Sequence, residues 1–162
     1  MTANNPHSTI CQYLSTQHVF TLCTASVIHS SAIHSSAADS ANNSENQDLW
    51  CASCFYVFDI DKMALWFMTE PETRHGKMMQ ENRTVAGTIA GQVHDISQIK
   101  GIQFRGEVVR LTGDDETVAR ACYCQHFPIA ITAKSPIWQL NLNEIKMVDN
   151  TLGFGTKLHW QR

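Results

Sequence analysis

Apolar residues along this chain fall into short runs separated by polar turns, and most runs alternate with a period of two rather than 3.6. A short helix opens at Asn5-Pro6, with asparagine as cap and proline at the first helical position. Ile10 and Leu14 mark its apolar face, and it ends near Gln17. His18–Ala25 (HVFTLCTA) is the first predicted strand and Leu49–Phe58 the second. The second carries Trp50, Ala52, Cys54, Tyr56 and Phe58 on one face and Leu49, Cys51, Phe55 and Val57 on the other. Apolar character on both faces predicts burial on both sides, or cover by a partner subunit. Asp59–Asp61 turns the chain into a third strand, Met63–Thr69, so strands two and three form a hairpin.

A helix over Pro71–Asn82, including Met78 and Met79, leads to a fourth strand at Thr84–Ala90 and a loop over Gly91–Ile99. The fifth strand, Gly101–Leu111, alternates Ile102, Phe104, Gly106 and Val108 with Gln103, Arg105, Glu107 and Val109. Gly106 in mid-strand signals a bulge, a bend or a close approach. Asp114, Asp115 and Glu116 suit the first turn of a helix that presents Val118, Ala121, Cys122 and Tyr123 and stops at Pro128. Ile137–Val148 is the last long strand, bent near Asn143, and the tail DNTLGFGTKLHW ends in an apolar, strand-like fragment. The pattern therefore predicts a mainly β protein with about six strands, mostly in antiparallel succession, and three short helices. Strand–helix alternation and a GxGxxG turn are both missing, which excludes a doubly wound nucleotide fold. A small closed barrel removes the sheet edges and is the expected architecture.

The 162 residues suffice for one domain with its own core, and 43% hydrophobic against 17% charged residues excludes a disordered chain. A net charge of −3 supplies no field for nucleic acid or an anionic membrane. No apolar run approaches the roughly 20 residues that span a bilayer, and MTANNPHSTICQ lacks the pattern of a signal peptide, so a cytoplasmic protein is expected. Composition shifts sharply between Ser26 and Asp48, where Ser, Ala, Asn and His dominate and IHSSA occurs twice, at Ile28–Ala32 and Ile33–Ala37. So polar a segment reads as a long, flexible connection inserted between two strands, and His29 and His34 within it as a solvent-exposed pair rather than a metal site.

The six cysteines promise little. Cys51 and Cys54 lie three apart on a strand and so point to opposite faces, and Cys122 and Cys124 diverge on a helix. Cys11 and Cys23 are isolated in sequence, and reduced, packed thiols with no metal are expected. The turn TEPETRHGK is more informative. It gathers Thr69, Thr73, Arg74, His75 and Lys77 where a strand hands over to a helix, a place suited to holding an anion such as a phosphate. Neither a GxSxG elbow nor an HExxH is present, so no acid, base or nucleophile can be named.

The order of elements, together with the words LWCASCFYVFD, FMTEPETRH, VAGTIAGQ, GIQFRGEV, FPIA and PIWQLNLNEIKMVDNTLGFG, resembles the FMN-binding split barrels related to pyridoxamine 5′-phosphate oxidase. Within them it is most similar to an uncharacterised, YhbP-like branch. The resemblance covers most of the chain and leaves out Ser26–Asp48. It implies a six-stranded antiparallel split barrel, a homodimer, and FMN in a groove between two barrels. It also implies an oxidoreductase acting on an unidentified small substrate, the alternative being a binding or scaffold protein that has lost the flavin. In that superfamily the turn after the third strand holds the FMN phosphate with an Arg–Lys pair. The matching stretch here offers Thr69, Thr73, Arg74, His75 and Lys77, with His75 where lysine is usual, and a neutral imidazole contributes less than an ammonium. The resemblance places Gln103 and Arg105 at the level of the ring or phosphate, and Trp138 and the LGFG loop where the partner closes the groove.

Overall fold

In the computed structural model, the residues described are 6–26 and 48–162. Asn5, the two IHSSA repeats, His29 and His34 lie outside them. The elements are α1 (Pro6–Thr16), β1 (Val19–Ala25), β2 (Leu49–Asp59), β3 (Ala64–Met68), α2 (Arg74–Glu81), β4 (Thr84–Ala90), β5 (Lys100–Arg110), α3 (Gly113–His126), β6 (Ile137–Asp149) and β7 (Lys157–Gln161). Short 3-10 turns occur at Ile96–Gln98, Pro128–Thr132 and Asn150–Leu152.

The strands form one antiparallel sheet in the order β3-β2-β1-β4-β5-β6-β7, and β3 pairs back onto β6. Six strands thus close a barrel, and β7, formed by the apolar tail, adds to the outside edge of β6. Closure satisfies the backbone of both β3 and β6 without leaving an open edge between them. The alternation read from sequence holds where it is cleanest: β5 buries Ile102, Phe104, Gly106 and Val108 and exposes Gln103, Arg105 and Glu107.

The barrel interior is packed with Phe20, Leu22, Tyr56, Leu65, Phe67 and their neighbours, and α1 adds Ile10 and Leu14 to the same core. Phe20 meets Phe67 edge to face with centroids 5.3 Å apart, a favoured arrangement for aromatic quadrupoles. Tyr56 can be fully buried because its hydroxyl donates to the Leu14 carbonyl at 2.7 Å. A second, smaller apolar cluster lies outside the barrel wall, where Ala119 and Tyr123 of α3 cover Val57, Trp66 and Ile137. That explains half of the two-sided apolar character of β2. The other half, Leu49 and Phe55 on the outward face, is 66% and 56% exposed.

Gly106 is both a bulge and a close approach. The β5–β6 register slips between Arg105, opposite Glu144, and Gly106, opposite Leu142, leaving Asn143 as the extra residue on β6. The bend expected near Asn143 is therefore this bulge. A Cβ at position 106 would collide with the Asn141 carbonyl oxygen. Among the described residues no helix is long and apolar enough to cross a membrane.

Candidate functional site

The turn between β3 and α2 is organised by Thr73. Its backbone is extended (φ −63°, ψ 158°), its hydroxyl accepts from Gly76 N, and so the helix starts at Arg74, three residues later than the proline predicted. The same hydroxyl donates to the Glu70 carbonyl at 2.8 Å, which ties the turn to its own helix.

His75 turns inward. Its Nε2 lies 2.6 Å from Thr69 Oγ1 and 3.3 Å from Thr73 Oγ1. Burial pushes its pKa below the ordinary value, which favours the neutral ring. Thr69 is buried in turn, and its carbonyl accepts from Trp138 Nε1 at 3.1 Å. Thr69, Thr73, His75 and Trp138 are thus brought together as one hydrogen-bonded unit beneath the turn. Trp138 is only 3% exposed and belongs to the barrel core in the protomer.

Arg74 and Lys77 are the outward pair. They are three apart on α2 and share a face, so the chain does present an Arg–Lys combination, with His75 removed from it. The Arg74 guanidinium pairs with Asp48 and lies over the Trp50 ring, 4.2 Å from its centroid. Neither partner was evident from sequence, because both stand at the start of β2, a whole β2–β3 hairpin away from Arg74.

Gln103 and Arg105 sit apart from this turn, on the outward face of β5. Arg105 is in line with Ala86 of β4, Cys23 of β1 and Cys51 of β2, successive partners across four strands. It helps to line a pocket of about 300 Å³ with Cys23, Thr24, Leu49, Thr84 and Ala86. Leu49 links the two regions, since its chain neighbours Asp48 and Trp50 are the residues that hold Arg74. The pocket wall thus supplies hydroxyls, an apolar side chain and a guanidinium, with the Arg74–Lys77 pair beyond it. That donor set fits an anionic group attached to a flat apolar ring.

Cys23 departs from expectation. It is not isolated: its sulfur is 2.8 Å from that of Cys51 on the adjacent strand. The pairing was hidden because the register of β1 against β2 cannot be counted across so long a connection. Among the described residues there is no group of three or more metal-ligating side chains. Asp95 accepts from Ser97 N, and His126 Nδ1 approaches the Cys122 carbonyl at 3.0 Å. Phe154, between its glycines, is 82% exposed in the protomer.

Comparison with known proteins places the chain. No family model matches it. A UPF0306 protein of Photorhabdus laumondii is 57% identical over 162 residues, covering all of both chains. The chain belongs to the UPF0306 family. Another member, from Serratia proteamaculans, is 51% identical over all of this chain and 99% of its own. Solved structures agree on the fold at much lower identity. A haem-binding protein from Mycobacterium smegmatis superposes with a TM-score of 0.74 at 16% identity, over 99% of this chain and 60% of that longer one. A candidate pyridoxamine 5′-phosphate oxidase from Listeria innocua gives 0.62 at 8% identity, over 88% and 98%. An FAD-binding protein from Mesorhizobium loti gives 0.59 at 12%, over 86% and 89%. The UPF0306 chain therefore has the split-barrel fold.

Proposed function

We propose that this UPF0306 protein is a homodimeric, cytoplasmic split-barrel protein that binds FMN on the outward face of β1, β2, β4 and β5, as a member of the YhbP-like branch. The observation that carries the reading is the pocket at Arg105. It opens on a sheet face where Leu49 and Phe55 are more than half exposed, and Arg74 is held by the chain neighbours of Leu49. A pocket of about 300 Å³ is at the small end for a whole cofactor, so one protomer supplies a wall and a second copy the other. The exposed apolar side chains are what such a copy would cover. Neighbours of the same fold that bind haem or FAD support a flat, conjugated ligand.

In this reading Arg74 and Lys77 take the phosphate, Arg105 and Gln103 contact the ring or its polar chain, and Thr69, Thr73 and His75 hold the turn in shape. FMN, when bound, would supply redox chemistry toward a small substrate, and the chain's own part is to bind and orient it. The test is titration of purified protein with FMN, riboflavin and haemin. FMN should bind at micromolar concentration and riboflavin more weakly. Arg74→Ala with Lys77→Ala should weaken FMN by about tenfold to a hundredfold, the worth of one or two charge-assisted hydrogen bonds, and leave riboflavin nearly unchanged. Equal losses for both ligands would remove the pair from phosphate binding. Haemin binding tighter than FMN would reassign the pocket.

A further inference from the structure

We propose that Cys23 and Cys51 form a redox pair, oxidised to a cross-strand disulfide by low-molecular-weight disulfides of the glutathione class. The two residues are direct partners in the β1–β2 ladder. Their position in it can be fixed from the flanking hydrogen bonds: Ser26 N donates to Asp48 O, and Tyr56 N donates to His18 O. With a period of two, Cys23 and Cys51 fall on a non-hydrogen-bonded pair, the class in which side chains stand closest and Cα atoms are about 4.5 Å apart. That lies inside the span of about 4.4–6.8 Å that a disulfide bridges. The sulfurs already approach to 2.8 Å.

The two thiols are not equivalent. Cys51 is exposed, whereas Cys23 is half-buried, and burial together with the adjoining Cys51 pushes its pKa up to about 11. Cys51 is therefore the residue that meets an external disulfide first. Its thiolate attacks one sulfur of glutathione disulfide, forms a mixed disulfide and releases one glutathione. The Cys23 thiolate then attacks Cys51 Sγ, closes the protein disulfide and expels the second glutathione. Two electrons pass from the cysteines to glutathione disulfide, and the two cysteine protons end on the two glutathiones. The pair stands in the same cross-strand row as Arg105 and Cys23 lines its pocket, so the bond would alter a wall of that pocket.

The protein, with and without added FMN, is equilibrated in glutathione redox buffers, quenched in acid, alkylated and weighed intact, and the cross-linked peptides are mapped. Oxidised protein should take up two fewer alkyl groups, with the link between 23 and 51. At a fixed glutathione concentration, folded protein should reach half-oxidation at a glutathione disulfide concentration at least about tenfold lower than the same chain in urea, because the fold holds the thiols together. Cys23→Ser and Cys51→Ser should each abolish the link while far-UV circular dichroism stays unchanged. A bond mapped to another pair, stable glutathione adducts on Cys51 in place of the link, or equal glutathione disulfide concentrations folded and unfolded would overturn the proposal. None of these outcomes depends on whether flavin binds.

Discussion

Trp138→Phe tests whether the indole serves the barrel core, where the structure puts it, or the groove, where the resemblance put it. The indole is 3% exposed, and its Nε1–H donates to the Thr69 carbonyl at 3.1 Å. Phenylalanine keeps the apolar packing but loses the donor. A buried carbonyl left without its partner costs about 1–3 kcal/mol, and the missing fused ring adds roughly 1 kcal/mol as residual cavity. A loss of about 2–4 kcal/mol in a chain of this size lowers Tm by roughly 4–16 °C. Urea unfolding followed by far-UV circular dichroism should show the midpoint fall with an unchanged slope, the sign of lost stability without a changed denatured state. FMN affinity of the folded variant should change by less than about threefold, since an effect below roughly 0.7 kcal/mol leaves no room for a lost ring contact. The reasoning fails if Tm is untouched while FMN binding collapses. That result would put the indole in the ligand groove and not in the core.

Two further outcomes follow from the same geometry. Burial lowers the pKa of His75 in the fold, whereas the unfolded imidazole titrates near 6.5. The unfolded chain therefore takes up the proton more readily, and stability is full above about pH 6.5 and falls as pH drops below it. Comparing urea midpoints at pH 7 and pH 5 should show a smaller drop in His75→Gln than in the natural chain; identical drops would show that His75 does not titrate on unfolding. Gly106→Ala should lose about 1–3 kcal/mol, because its Cβ meets the Asn141 carbonyl and the bulged strand must shift. A variant as stable as the parent in a thermal melt would show that the bulge yields freely.

The barrel was legible because strict alternation, as in Ile102–Val108, leaves one choice of inward face, and because Gly106 and Asn143 announced the bulge from both strands. The tail was legible as a strand-like fragment but not as a seventh strand, since Lys157–Gln161 gains its identity only by pairing with β6. Thr69, Thr73, Arg74, His75 and Lys77 lie on one turn and helix start, as their spacing implies, but the division among them was not readable. Sequence spacing puts Arg74 and Lys77 on one helical face, yet only three-dimensional proximity reveals that His75 is satisfied by two threonines. The Cys23–Cys51 contact was invisible because it depends on the register between β1 and β2, and the contacts of Asp48 and Trp50 with Arg74 because they depend on how α2 packs against the start of β2. Such a register is set by packing and not by a countable turn.

The pairing of β3 with β6 also bears on how the chain reaches its fold. Trp66 Nε1 donates to Gln139 Oε1 across this seam, and the two residues are 73 positions apart. The β2–β3 and β4–β5 hairpins can form from near neighbours, but the seam must wait for the whole intervening chain and for the entropy of closing so large a loop. During synthesis, β3 is therefore out for several seconds before its partner emerges, at about 5–20 residues per second. Throughout that interval Leu65 and Phe67, which end with no exposure at all, sit on a strand whose β6 edge is still unpaired. The step that makes the finished barrel free of edges at this seam is the one that leaves the nascent chain most open to aggregation.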